Sequence, residues 1–335
     1  MDGNPNVSAK TIRSTLRRHR AQILGLYTRE LKEIGHVLSQ SPYRIPISDA
    51  VTERIDAYTE LFPQVQEQIP PRHRLMPYRV LTPLVAARLE ATAADAAGGY
   101  DNAGEFIADL ETIADSLIEN RGRHAGLFPV QRLIWRARTF GFHLATLDVR
   151  QDSLVHRQAV GRGLGVPDWL ELDPAARTAA ITEALADGRP PAPGLERQDP
   201  VLEVFAAIAE TRRRYGREAI GPYIISMSQG PDDVLSVLLL AHWGGLVEQD
   251  GHIPLDVAPL FETVPDLKAS RAIMSELLAD PGYGAHLDRR ERRQIVMIGY
   301  SDSNKDAGIA SARWALQRAE TELVEIAANN RVDLT

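Results

Sequence analysis

One arginine, two acids and one lysine stand at comparable places in the second half of this sequence. Arg150 closes "LATLDVR", Glu262 lies in "LDVAPLFET", and Asp302 and Lys305 lie in "YSDSNKDAG" behind the apolar run Ile295–Ile298. Two carboxylates from neighbouring strands can hold a hard divalent cation, Mg²⁺ or Mn²⁺, with waters and substrate filling the other positions. Arginine suits a phosphate or carboxylate because its planar fork is bidentate and always charged. Lysine adds a positive charge where an anion develops. Together these residues describe a site for a small, multiply anionic, phosphorylated substrate. Each also has a plain structural use. Arg150 can make a surface ion pair, Glu262 can cap the next helix, and "SDSNKDAG" can be a strand-to-helix turn capped by Ser303 or Asp306. Their coincidence at corresponding strand ends favours a site.

The elements that must position these groups change character along the chain. Apolar residues recur at helical spacing over Ser8–Ser39, through Ile12, Leu16, Ile23, Leu26, Leu31, Ile34 and Leu38. Similar patterns predict helices over Asp49–Gln68, Tyr78–Ala96, Asn102–Glu119 and Pro129–Phe140. Strands are expected over Leu144–Arg150, Tyr223–Met227, Leu255–Thr263 and Ile295–Asp302, with a fifth beginning at Val332–Thr335. Helical patterns at Pro200–Tyr215, Asp232–His242, Leu267–Leu278 and Asp306–Ala328 lie between them. Strand alternating with helix indicates a parallel sheet with crossover helices, open or closed into a barrel. The expected organisation is a helical region over 1–140 and an α/β region over 141–335 that carries the site. "GRPPAPG" (Gly188–Gly194) is short enough to be a surface loop.

Bulk properties exclude several classes. The chain has 335 residues, 44% hydrophobic and 25% charged, an ordinary globular composition. A net charge of −7 argues against a nucleic-acid-binding protein, and the basic run Arg289–Arg293 is short and broken by Glu291. There is no cysteine, so disulfides, zinc–thiolate sites and cysteine nucleophiles are excluded. No apolar run approaches the length that spans a bilayer, and "MDGNPNVSAKTIRSTL" lacks a signal-peptide core, so a cytoplasmic protein with no membrane partner is expected. No G-x-G-x-x-G follows a strand, and no G-x-S-x-G elbow is present. His143, His156, His242, His252 and His286 are scattered without metal-ligand spacing and are expected to be structural.

Five stretches resemble one family in family order. "VMIGYSDSNKDAG" (Val296–Gly308) is similar to the lysine signature of phosphoenolpyruvate carboxylase. "FGFHLATLDVRQDS" (Phe140–Ser153), "YIISMSQGPDDVLSVLLL" (Tyr223–Leu240), "VAPLFETVPDL" (Val257–Leu267) and "DGNPNVS" (Asp2–Ser8) resemble further segments of it. The resemblance implies a helix-rich α/β protein containing part of a TIM (β/α)8 barrel, about four to five strands, behind an N-terminal helical region. It implies a carboxy-lyase of anaplerotic carbon dioxide fixation that feeds the tricarboxylic acid cycle. Bicarbonate attacks the phosphorus of phosphoenolpyruvate to give carboxyphosphate and an enolate. Carbon dioxide is released, and the enolate captures it as oxaloacetate. Carried over by motif, Glu262 and Asp302 are the ligands of Mg²⁺ or Mn²⁺, Arg150 contacts the phosphate-bearing substrate, Lys305 is the active-site lysine, and Leu260 and Met297 form the apolar surface near the enolate methylene. The family is homotetrameric.

The family's catalytic histidine lies in an "HPT" motif that does not occur here, and its "FHGRGG" loop follows the strand that begins as "VDLT". The chain is therefore expected to be a central fragment, inactive alone. Two other expectations are a non-catalytic interaction or regulatory remnant, and a different metal-dependent barrel lyase acting on a phosphorylated or 2-oxo acid.

Overall fold

The computed structural model describes residues 8–335; all of the "DGNPNVS" segment except Ser8 lies outside them. The described residues form thirteen α-helices and six short strands, a helix-rich α/β structure. By compactness the chain divides into two units. One comprises Ser14–Thr146 with Arg214–Ala219; the other comprises Leu147–Arg213, Ile220–Thr335 and the described residues up to Arg13.

The first unit is helical: most of α1 (Ala9–Val37), then α2 (Asp49–Leu61), α3 (Pro63–Gln68), α4 (Pro77–Ala93), α5 (Ala103–Glu119) and α6 (Leu127–Phe140). Leu16, Ile23, Tyr27, Leu31 and Ile34 are all buried, which is the stripe the spacing predicts. The single helix expected over Asp49–Gln68 is broken. Phe62 leaves helical geometry (φ −131°, ψ 58°) because Pro63 follows it, and the proline opens α3. Asn102 caps α5 by accepting from the Glu105 N–H at 3.2 Å. The core of this unit encloses the carboxylate of Asp109. It accepts from the Tyr58 hydroxyl at 2.7 and 2.8 Å and from the Tyr100 hydroxyl at 2.5 Å. Arg88 lies 3.9 Å from the Tyr100 ring centre and 4.7 Å from that of Tyr58. Burial, then the Asp109 charge, holds the Tyr100 phenol protonated well above its usual range, so it stays a donor.

The second unit is built on parallel strands: β1 (Leu147–Asp152), β2 (Ile220–Ser226), β3 (Val257–Phe261), β4 (Arg293–Gln294), β5 (Met297–Ile298) and β6 (Asp333–Leu334). β1, β2, β3 and β5 form one parallel sheet in chain order, and β4 pairs in parallel with β6. The strand expected over Ile295–Asp302 is thus shorter and shared between two neighbours. Its later part bonds to β3. Its earlier part bonds to the β6 side, where the Val296 N–H donates to the Thr335 carbonyl at 3.0 Å. At Gln294 the link to β3 is made by the side chain, whose Nε2 donates to the Val257 carbonyl at 3.1 Å.

Helices follow the strands: α7 (Ser153–Leu164), α8 (Pro174–Ala186), α9 (Pro200–Tyr215), α10 (Pro231–Trp243), α11 (Val264–Ala279), α12 (Pro281–Asp288) and α13 (Tyr300–Asn329). The periodicity reading omits α7, α8 and α12. Their signal is the cap: Asp152, Asp173 and Asp280 each accept from a first-turn N–H, and proline follows two of them. α10 is apolar nearly all round and almost wholly buried, as such a helix must be. Its first turn carries two fully buried acids. Arg157 holds Asp233 through two bonds of 2.8 Å, and Arg177 holds Asp232 at 2.6 Å. α13 is two helices joined at Gly308, whose φ of 76° and ψ of 160° only glycine adopts freely.

Two histidines of this unit are buried and neutral. Burial, with the Arg157 charge adding to it, pushes His156 down to about 3; burial, with Arg290 and His252, does the same to His286. The unfolded chain binds these protons below about pH 6.5, whereas the folded one refuses them until about pH 3. Their contribution is complete above pH 6.5 and is lost as pH falls, at up to about 1.4 kcal/mol per pH unit per histidine. Melting temperature is therefore expected to fall between pH 7 and pH 5. His156→Gln, which keeps a polar partner for the Tyr223 hydroxyl 2.9 Å away, is expected to flatten that slope. An unchanged slope in the variant contradicts the assignment.

Candidate metal and phosphate site

Period-two alternation sets which side chains share the sheet face. The register places Arg150 beside Ile224 and Ile224 beside Ala258. Along β3 the same face continues through Leu260 to Glu262, and Leu260 pairs with Met297 of β5. Ile224, Ala258 and Leu260 form a small buried cluster with Ile295 against it. Glu262 and Asp302 stand just past its carboxyl end, where parallel α/β folds place their chemistry, and Arg150 reaches Glu262 from within β1.

Glu262 follows the last residue of β3 and is 7% exposed. Its Oε1 accepts from Arg150 Nη2 at 2.8 Å, and its Oε2 accepts from the Met227 backbone N–H at 3.3 Å. Arg150 and Glu262, 112 residues apart in the chain, thus meet. Met227 sits immediately after β2 with a φ of +55°, a conformation that costs a non-glycine residue about 1–2 kcal/mol. Gly299 brings the β5 end close: a Cβ there would lie 3.0 Å from Glu262 Cα, and the Gly299 N–H donates to the Phe261 carbonyl at 2.8 Å.

Asp302 was expected on a strand and lies instead in the first turn of α13. The strand stops at Ile298, and the helix begins directly at Tyr300. Ser303 steadies that turn by donating to the Gly299 carbonyl at 2.6 Å. Lys305, one helical turn on, is exposed and donates to Oδ1 of the half-buried Asp302 at 2.9 Å. Asp306, expected to start the helix, lies within it. Its Oδ2 accepts from the Val264 N–H at 3.2 Å, joining the α13 turn to the residue two beyond Glu262. Leu260 is buried, whereas Met297 is 36% exposed. Sequence reasoning missed the Met227 amide, Ser153 and Gly299. Only the glycine at a strand end was a visible signal.

Among the described residues no three histidine or acidic side chains gather as a metal-binding group. Glu262 and Asp302 supply hard oxygen donors alone. That donor set fits Mg²⁺ or Mn²⁺, which takes one or two carboxylates and completes its shell with water and substrate.

The family model described as phosphoenolpyruvate carboxylase matches residues 1–335. The phosphoenolpyruvate carboxylase of Xanthomonas euvesicatoria pv. vesicatoria is 49% identical over 337 residues, covering all of this chain and 37% of that protein. That of Xanthomonas oryzae pv. oryzae is 49% identical with the same coverage. That of Rhodopseudomonas palustris strain HaA2 is 36% identical over 344 residues, covering 97% of this chain and 36% of that protein. The chain thus spans a little over a third of the length of these curated relatives. With the family match running through the whole sequence, this chain belongs to the phosphoenolpyruvate carboxylase family of carboxy-lyases.

Proposed function

We propose that this chain supplies the metal-binding rim of a cytoplasmic phosphoenolpyruvate carboxylase, converting phosphoenolpyruvate and bicarbonate to oxaloacetate and phosphate. The observation that carries the reading is the Arg150–Glu262 pair at 2.8 Å, with Asp302 and Lys305 directly after the strand beside Glu262. Residues 141–335 are then part of a (β/α)8 barrel within a larger enzyme, and residues 1–140 are an N-terminal helical region. The chain-order parallel pairing of β1, β2, β3 and β5 supports this, as does the continuation through β4 to β6.

In this reading Glu262 and Asp302 hold Mg²⁺ or Mn²⁺. The bound cation lowers the energy of negative charge on substrate oxygens. Arg150 turns its fork to the phosphate or carboxylate of the substrate, while one of its nitrogens keeps Glu262 oriented. Lys305 is free to swing from Asp302 toward an anionic oxygen, since it is 73% exposed and tied by one bond. Met297 offers an apolar surface to the methylene carbon, backed by buried Leu260. Water must be excluded for carboxyphosphate to deliver carbon dioxide to the enolate. Asp302 and Lys305 are too open here to do that.

The purified chain is therefore expected to bind Mn²⁺, and to bind it more tightly when phosphoenolpyruvate is present. It is expected to form no oxaloacetate in a malate-dehydrogenase-coupled assay. Absence of Mn²⁺ binding would count against the metal role. Robust turnover would overturn the expected inactivity. Association into the family's homotetramer is read by light scattering on the same samples.

A further inference from the structure

We infer that Ser153 is a positioning residue for the metal-binding carboxylate, acting through the backbone of Met227. The inference rests on the reading of Glu262 as a metal ligand.

The β1–β2 register ends with Asp152 beside Ser226. The next residues, Ser153 and Met227, therefore lie side by side just beyond the ladder. There the Met227 carbonyl takes the Ser153 hydroxyl, which donates to it at 2.7 Å. Ser153 is buried at a capped helix start. It is 2% exposed, and it opens α7, whose cap Asp152 accepts from the Leu154 N–H at 2.7 Å. The far side of the same turn is also clamped. Asp233 Oδ2 accepts from the Gln229 N–H at 2.8 Å and the Gly230 N–H at 3.2 Å.

Between these clamps Met227 is held at a φ of +55°. A methionine does not adopt this geometry by preference. It is found where the surroundings over-determine it, and such positions cluster at functional sites. Here the consequence is specific: the turn aims the Met227 N–H at Glu262 Oε2. With Arg150 of β1 on Oε1, both carboxylate oxygens are held, one by a side chain and one by a backbone N–H. The side chain of Met227 is 39% exposed, so its contribution here is the backbone N–H. Groups that orient a metal ligand commonly change metal affinity about 10–100-fold when removed.

The test uses the whole chain, with the Met227 amide proton shift and Mn²⁺ affinity as separate readouts. In the parent, Glu262→Gln is expected to move the Met227 amide resonance upfield, because a charge-assisted acceptor becomes a neutral one. Ser153→Ala is expected to produce a similar movement and to weaken Mn²⁺ binding about tenfold. Ser153→Thr, which keeps the hydroxyl, is expected to retain the parent resonance and affinity. An amide that does not respond to Glu262→Gln overturns the proposal, even if Ser153→Ala fails to fold. So does an amide that is unchanged in folded Ser153→Ala. A parent chain that binds no Mn²⁺ overturns the metal reading instead, while the amide responses still decide the positioning.

Discussion

Glu262→Gln is expected to lower the Mn²⁺ affinity of this chain at least about 100-fold, equivalent to about 2.7 kcal/mol. Glutamine keeps the size and one acceptor oxygen but removes the charge that a hard divalent cation requires. Asp302→Asn is expected to do the same to a smaller degree, because Asp302 is 48% exposed in its side chain whereas Glu262 is 10% exposed. The more buried carboxylate meets less competition from water and salt. The substitution should leave folding nearly intact. Arg150 keeps the glutamine oxygen as an acceptor, and at 38% side-chain exposure it is open to water. Titration of Mn²⁺ by the loss of its free-ion resonance gives the affinity, and a melting curve gives the stability. Parent-like binding by Glu262→Gln would falsify the assignment of this residue as a ligand.

The second large effect lies in the helical unit. Asp109→Ala is expected to destabilise that unit by about 3–5 kcal/mol, the range seen when one partner of a buried charged network is deleted. Asp109 is completely buried, and its removal leaves the Tyr58 and Tyr100 hydroxyls without their acceptor. It also takes the countercharge from Arg88, 3.7 Å from Asp109 Oδ2, and from Arg54 at 3.4 Å. Arg88 keeps Glu105 and the Gly98 carbonyl, which is why the loss should not exceed this range. Tyr58→Phe removes the bond to Asp109 and those accepted from Arg88 at 2.6 Å and Arg54 at 3.2 Å, and should lose at least about 1.5–3 kcal/mol. Domain stabilities are only about 5–15 kcal/mol, so the Asp109 variant should unfold at markedly lower urea. A midpoint within experimental error of the parent would show that the network contributes nothing net.

Sequence patterning carried the secondary structure where one face of an element is apolar and the other is not. α1, α5 and α9 lie within a few residues of their expected spans for that reason. It failed where the deciding signal was a single polar or proline residue. Phe62 ends a helix because of the proline after it. α8 and α12 begin at aspartates whose side chains close the first turn. A continuous apolar run misled in another way. "IVMIGYSD" reads as one strand, but the ladder shifts from one neighbour to the other within it, and the helix starts at Tyr300.

For the candidate site, the sequence by itself determined the groups on offer: which side chains carry charge, their order, and their position after apolar runs. Local residue types and alternation suffice for that. Only the tertiary structure decided how those groups meet. Arg150 and Glu262 are brought to 2.8 Å by a parallel register between strands far apart in the chain. The left-handed turn at Met227 and the hydroxyl of Ser153 could not be read from spacing. They depend on backbone groups left beyond the end of a ladder, and where a ladder ends is a property of two strands together.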